Sequence, residues 1–597
     1  MKKQNKYGIL LGIFIIVAFI IRLIIILHPL NTLVTYNGDD MYYYLEIAEN
    51  IITGKGVSFD GINITNGFHP MYLLMILPIV NFFLMDKLLA SYSALILLML
   101  FNVFTAIFVF KIVVLLTKSK DAALISAFIW LFNPWNIFIP MTGVEVAISS
   151  FFIAASLYTY INYRIKSEND FSKFKIWPII FIGLLLGLAI LSRSDSIFIA
   201  IAIGLDILYQ SIKNIMKSSS RNRILLKYAG RLALLVGMVL LTIAPWIIWS
   251  KLNTGLWVQG SGAALMYGSM NGLSVQAMIY KVVFNIGFNI FKMFNYIVNA
   301  PFLSLVIGLL IGSSIRYRLL IKKFLLNTLA IAAIILLVYS STLKEAVHYP
   351  AGLIIAIQLA IISAIIFIIG LLIGLNTKIA SLREQLKKNK SVKNKNKYSN
   401  NLPIIIGLML LFFFYAILFW HHQPWYYLSI SLLIILLLGN FFNMLLIKMK
   451  KSGVKRIFMI MILLFALLFG IRFTVLYNSS ICPWQYDMYE GAVYMKNLQS
   501  VPNDAKIGAF NAGIFAYFSD KTIINLDGVV NYGIIEYRKS GGNTIQYLRD
   551  NDIEYVIDYP CFLNEFKEDL TPVYSVPVKY DPFCENSGPV LYKVNSE

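Results

Sequence analysis

Residues 35–56 read TYNGDDMYYYLEIAENIITGKG, and the fold turns on where this stretch sits. Asn37-Gly38-Asp39-Asp40 is a turn followed by a helix start. In that helix Met41, Tyr44, Leu45, Ala48 and Ile52 share one face, with Glu46, Glu49 and Asn50 elsewhere. The pattern predicts an amphipathic helix lying on a membrane surface. An apolar run of about 20 residues ends just before it, long enough to cross a bilayer. Two adjacent carboxylates beside lipid are costly, so they either cap the helix or carry chemistry at the membrane's edge.

The rest of the chain supports a membrane setting. Its 597 residues are 58% hydrophobic and 14% charged, against about 25% charged in a soluble domain. A net charge of +21 would suit a nucleic-acid partner, but Lys and Arg sit in short runs between apolar stretches. That pattern orients membrane spans, and no nucleic acid is expected. Apolar runs near roughly 8–27, 89–116, 122–140, 145–163, 176–191, 196–212, 229–250, 299–315, 324–341, 350–375, 402–420, 426–447 and 455–473 predict about 13 transmembrane helices. With that count, MKKQNK at the N-terminus, KSK at 118–120, RIKSENDFSKFK at 164–175, the run 213–227, RYRLLIKK at 316–323, the stretch 378–397 and KMKKSGVKR at 448–456 all fall on the cytoplasmic side. The scheme requires the short run 70–85 to be re-entrant or interfacial. Residues 1–475 then form a transmembrane domain whose outer loop is 28–70.

Residues 476–597 differ in composition and are net negative. Strand-like AKIGAF, KTIINL, IEYVIDY and VLYKV alternate with helical YEGAVYMKNLQ, which predicts a small extracytoplasmic α/β domain. All three cysteines, Cys482, Cys561 and Cys584, lie here without metal-ligand spacing. Cys561 and Cys584 are either a disulfide or free thiols.

Chemistry-bearing side chains gather at the predicted outer ends of the spans. His69 precedes Pro70 where the chain re-enters the membrane, a structural turn or a functional histidine. Glu145, in FNPWNIFIPMTGVEVAI, is either a helix N-terminal carboxylate or a functional acid. LSRSDSIF places Arg193 and Asp195 in a buried turn, as an internal ion pair or with Arg193 as a phosphate ligand. Lys344 and His348 lie in LKEAVHYP, and His421 and His422 in HHQPWYY. These four are candidates for binding a phosphate or sugar, while Trp425 and Tyr426 read as an interfacial aromatic belt. Asp527-Gly528 reads as a turn.

Taken together, GDDMYYYLEIAENI, TNGFHPMYLL, TGVEVAI, GLAILSRSDSIF, SGA at 261–263, HQPWYY and NAGIFAYFSDKTIINLDGVVN resemble a bacterial and archaeal branch of the membrane glycosyltransferases of the GT-C fold. The resemblance implies an inverting glycosyltransferase of the cell membrane, moving one hexosyl or pentosyl unit from a polyprenyl-phosphate donor to a glycan, lipid or protein acceptor on the extracytoplasmic side. It implies an acidic residue of the first outer loop as general base, Asp39 before Asp40. Glu145 would orient the acceptor or a metal, and Arg193 would support the site or contact donor phosphate. Relatives often have Asp-Glu where this chain has Asp39-Asp40, and Pro where it has Ser194. The leaving lipid phosphate needs cations, for which Arg193, His69, Lys344, His348, His421 and His422 are the candidates, or a divalent metal ion as cofactor.

Other classes predict other features. A flippase or transporter of lipid-linked saccharides should show repeated halves and ionisable residues at mid-bilayer, and neither is evident. A glycan polymerase or ligase shares the topology and differs in how many sugars it adds. A non-catalytic receptor would tolerate loss of the acidic pair.

Overall fold

The computed structural model describes residues 2–169, 176–216, 221–297, 399–418, 423–448, 466–467, 469–580, 584 and 587–595. The predicted spans at 299–315, 324–341 and 350–375, and much of that at 455–473, lie outside the described residues. So do Lys344, His348, His421 and His422.

Six described helices are long and apolar enough to cross a membrane: Lys6–Ile26, Lys87–Thr117, Val146–Lys166, Ser194–Ile215, Arg221–Thr254 and Pro424–Met444. A bent pair, Lys120–Phe132 and Pro134–Thr142, makes up to seven, with shorter apolar helices Ile176–Ser192 and Leu402–Leu418 beside them. Local chemistry explains the boundaries. Asp86 accepts the Leu89 amide at 2.9 Å to start the Lys87 helix, and Ser119 accepts the Ala122 amide to start the next. The 58° bend falls at Asn133-Pro134, where proline lacks the N–H that would continue the helix. Pro70–Phe82 is 13 residues, about 20 Å, too short to cross a bilayer.

Between the apolar runs 229–250 and 299–315 the described chain is largely helical, as Gly260–Met270 and Val275–Ile297. The second helix has a polar stripe rather than an apolar run. Asn285 donates to the Ala416 carbonyl at 3.2 Å, and Asn289 accepts from the Tyr427 hydroxyl at 2.5 Å. It docks on the bundle through these amides.

Arg22, wholly buried in the first helix, donates to the Asn102 side chain at 2.8 Å and to the carbonyls of Ala18, Leu131 and Asn136. Oxygen dipoles from three further segments hold a charge that lipid would expel.

The C-terminal domain is a five-stranded sheet: β1 (Lys506–Ala509), β2 (Thr522–Asn525), β3 (Ile553–Asp558), β4 (Leu570–Ser575) and β5 (Val590–Val594), ordered β2-β1-β3-β5-β4. β1 runs parallel to β2 and β3, while β5 is antiparallel to β3 and β4. β4 escapes sequence reading because it is an edge strand containing Pro572 with most side chains exposed. Cys561 and Cys584 are joined in a disulfide and Cys482 is a buried free thiol.

The chain after β1 and the end of β2 meet the helix Asp39–Ile52. Tyr43 makes this join: its hydroxyl accepts the Ala512 amide at 3.2 Å and the Asn525 side-chain amide at 3.3 Å. The helix Asp39–Ile52 therefore has protein on both sides. Tyr42, Tyr43 and Ile47 are buried as well as the predicted Met41, Tyr44, Leu45 and Ala48. It is an interdomain helix rather than one lying open on lipid, because the soluble domain covers its other face.

Candidate functional site

The site is assembled where that helix begins. Gly38 donates its amide to the Thr142 carbonyl at 2.9 Å, and the Asn37 side chain donates to the Met141 carbonyl at 2.7 Å. These bonds fasten the first outer loop to the turn that precedes Glu145. Gly143 closes that turn at φ 78°, and any Cβ there would lie 2.2 Å from the Met41 sulfur. Glycine is required both for the left-handed backbone and for the space.

Neither acid of the pair caps its own helix, whose N-cap is Gly38. The Asp39 carboxylate instead accepts the amides of Gly513 at 2.9 Å and Ile514 at 2.7 Å, at the start of helix Gly513–Ser519 in the C-terminal domain. Both its oxygens are engaged in docking. Burial raises its pKa above the ordinary carboxylate range, and the two amides pull it back.

Asp40 is half-buried. Burial first, then the negative charges of Asp39, Asp527 and Glu145, push its pKa up to about 8, opposed by the Arg193 charge.

Glu145 is buried and accepts from Arg193 Nη1 at 2.7 Å and from the Tyr44 hydroxyl at 2.9 Å. His69 Nε2 lies 3.4 Å from the same Glu145 oxygen that Arg193 engages. The His69 Nδ1 is buried with no hydrogen-bond partner among the described residues, and burial lowers the imidazole pKa while Glu145 raises it. The Tyr44 hydroxyl also accepts the His69 backbone amide at 3.1 Å, so one tyrosine sets the heights of both side chains.

Arg193 is held on all sides. Nε donates to Asp195 at 2.8 Å, Nη1 to Glu145, and Nη2 to the Tyr415 hydroxyl at 3.2 Å. The Tyr415 hydroxyl in turn donates to Asp195. The guanidinium centre lies 5.0 Å from the Tyr426 ring, which stacks on Tyr415 at 5.2 Å. Among the described residues, two of the five N–H donors of Arg193 have no partner. The internal pair with Asp195 read from the sequence is present, and Arg193 pairs with Glu145 as well. Tyr426, read as belt, packs against Arg193 instead.

Asp39, Asp40, His69, Glu145 and Arg193 are thus brought into one neighbourhood. The sequence reading missed Tyr44 and Tyr415. Tyr415 was detectable as the single hydroxyl in the otherwise apolar helix Leu402–Leu418. Among the described residues no three His, Cys, Asp or Glu side chains converge as metal ligands would.

A family model described as "Domain of unknown function (DUF8728)" matches residues 485–589, the body of the C-terminal domain. No curated protein matches the sequence. Among solved structures, ArnT from Cupriavidus metallidurans bound to undecaprenyl phosphate is similar at 11% identity and a TM-score of 0.50, over 99% of this chain and 98% of that one. The archaeal oligosaccharyltransferase AglB from Archaeoglobus fulgidus, in complex with an inhibitory peptide and a dolichol-phosphate, is similar at 13% identity and a TM-score of 0.45, over 91% of this chain and 69% of that one. The likeness to ArnT along nearly the full length of both chains shows a shared fold: this chain has the GT-C fold.

Proposed function

We propose that this protein is an inverting glycosyltransferase that moves one sugar from a polyprenyl-phosphate carrier to an acceptor hydroxyl on the extracytoplasmic side of the membrane. The observation that carries the reading is the half-buried Asp40 carboxylate set beside the Glu145–Arg193–His69 cluster, at the ends of apolar helices. The shared fold with ArnT, a protein solved with undecaprenyl phosphate, supports a lipid-phosphate donor.

Asp40 serves as the base, in preference to Asp39, whose two oxygens hold the C-terminal domain. The Asp40 carboxylate takes the acceptor's hydroxyl proton as the acceptor oxygen bonds to the anomeric carbon. The bond from that carbon to the phosphate oxygen breaks, and its electrons leave with the lipid phosphate. Inversion follows from attack on the face opposite the leaving group. Glu145 keeps Arg193 and Tyr44 in place, and the two remaining Arg193 N–H donors and His69 face the developing charge. Lys344, His348, His421 and His422 are the further cations the chain offers for the phosphate. The basic loops put the N-terminus in the cytoplasm and the C-terminal domain outside.

Purified protein incubated with a panel of polyprenyl-phosphate sugars and hydroxyl acceptors tests this. The expected result is one sugar added per acceptor by intact mass, with release of polyprenyl phosphate. Addition of many sugars would instead favour a polymerase. Turnover by Asp40→Asn at the wild-type rate would remove Asp40 as the base.

A further inference from the structure

A cavity of about 230 Å³ lies between the interdomain helix, the first outer loop and the C-terminal domain. Glu46, Glu49 and Asn50, at i, i+3 and i+4, line it from one face of the helix. Glu46 stands six residues past Asp40, about 9 Å along the axis and about 120° around it, so the cavity is distinct from the site at Asp40. The outer loop contributes Lys55, Phe59 and Asp60. The C-terminal domain supplies the facing wall, with Asp520 and Lys521 among its residues.

Most of these walls are held by the protein itself. The Asn50 side chain donates to the Ser58 and Phe59 carbonyls, and Asp60 accepts the Ile62 and Asn63 amides. Lys87 and Asp520 pair across the two domains at 2.7 Å. Lys521 donates to the Val501 carbonyl and the Asn503 side chain. Two side chains differ. Among the described residues neither the half-buried Glu46 carboxyl nor the exposed Lys55 ammonium makes a hydrogen bond or an ion pair. Burial first, then the Glu49 charge, raise the Glu46 pKa to about 7, opposed by Lys87 and Lys55. Near neutral pH that carboxyl therefore both accepts and donates, while Lys55 donates.

This lining selects among ligands. Its acids, Glu46, Glu49, Asp60 and Asp520, outnumber its three lysines, which disfavours an anion. Among the described residues no three acids converge on a metal ion. Charged walls disfavour an apolar ligand. A hydroxyl suits both unpaired groups, because it donates and accepts at one atom. We propose that the cavity is a saccharide-binding site separate from the transfer centre, taking one neutral sugar unit between Glu46 and Lys55. Sugar hydroxyls accept from Lys55 and exchange hydrogen bonds with Glu46. Naming a sugar among neutral hydroxylic ligands rests on the glycosyltransferase reading. Each domain supplies a wall, so a bound sugar also stabilises their docking. Seating of the C-terminal domain, which Asp39 fastens, thus responds to the presence of a glycan.

The test is hydrogen exchange on the full-length protein, in a detergent without a sugar head group. The probes are the methyl glycosides of glucose, galactose and mannose, and N-acetylglucosamine, with inorganic phosphate and calcium as controls. The expected result is that at least one sugar slows exchange in both 46–60 and 516–523 where the controls do not. Glu46→Ala and Lys55→Met should each raise the sugar concentration required by roughly tenfold or more. If Glu46→Ala does not fold, the exposed Lys55→Met still decides. No protection by any sugar, protection of one segment only, protection by phosphate or calcium instead, or no weakening in the folded variants overturns the proposal. Asp40→Asn run in parallel separates the two ideas, since it should lose transfer and keep sugar protection. Transfer without protection removes only this site; protection without transfer from any polyprenyl-phosphate sugar removes only the transferase reading.

Discussion

The main-chain carbonyl of Asp39 stands where a side chain on Gly513 would have to be: a Cβ at Gly513 would lie 2.3 Å from that oxygen. The contact is close because the Asp39 carboxylate draws in the Gly513 and Ile514 amides. Gly513→Ala should therefore push the helix Gly513–Ser519 off the membrane domain, costing about 1–3 kcal/mol. Asp39→Ala should cost a similar amount by removing two charge-assisted bonds. Hydrogen exchange across 513–519 should speed up in both, and transfer activity should fall with it. Unchanged exchange would refute the docking role.

Asp40→Asn should reduce transfer by at least about a hundredfold and yet raise thermal stability at pH 8. Burial and neighbouring acids hold the Asp40 pKa near 8 in the folded protein, against roughly 4 in an unfolded chain. Between those values the folded state carries the extra proton, so wild-type stability falls as pH rises through the window and levels off above about 8. The melting-temperature advantage of Asp40→Asn should grow from pH 4 to pH 8. An advantage that shrinks over that range would contradict the placement of Asp40.

Arg193 and Glu145 form a buried pair whose members are unequal. Arg193→Ala strips the partner from Glu145 and Asp195 at once, and should cost about 3–5 kcal/mol. Glu145→Gln leaves Arg193 paired with Asp195 and should cost less. In the double variant the two losses should not add, since Glu145 is no longer a buried charge lacking its cation. Thermal melts of the four proteins in detergent give the cycle.

Gly143→Ala tests a different kind of constraint. The alanine would meet Met41 and also sit at φ 78°. Adding Met41→Ala should recover only part of the steric loss, because the Cβ that alanine keeps would still lie 2.6 Å from the new one, and about 1–2 kcal/mol of backbone strain also remains. Full recovery would show that space alone selects glycine here.

The acidic pair, Glu145 and the Arg193 turn were legible because charge beside long apolar runs is conspicuous whatever the tertiary structure. What Asp39 does was not, since its partner amide is 474 positions away and backbone donors leave no mark on sequence. The Tyr415 hydroxyl is visible in its apolar span, but its partner Arg193 lies 222 positions away. Val275–Ile297 is not legible as an apolar element because its buried row, Lys281, Asn285 and Asn289, is polar, which hydropathy scores as surface. β4 was missed because an exposed edge strand lacks the alternation that reveals its neighbours.

Arg22 has a bearing on how the chain is made. Its partners Asn102, Leu131 and Asn136 are synthesised 80 to 114 residues after it. Until they arrive, the first helix carries an unsolvated guanidinium with no resting place among lipids. A segment with such a charge should wait at the insertion machinery until Asn102, Leu131 and Asn136 follow, so that the bundle closes around the guanidinium.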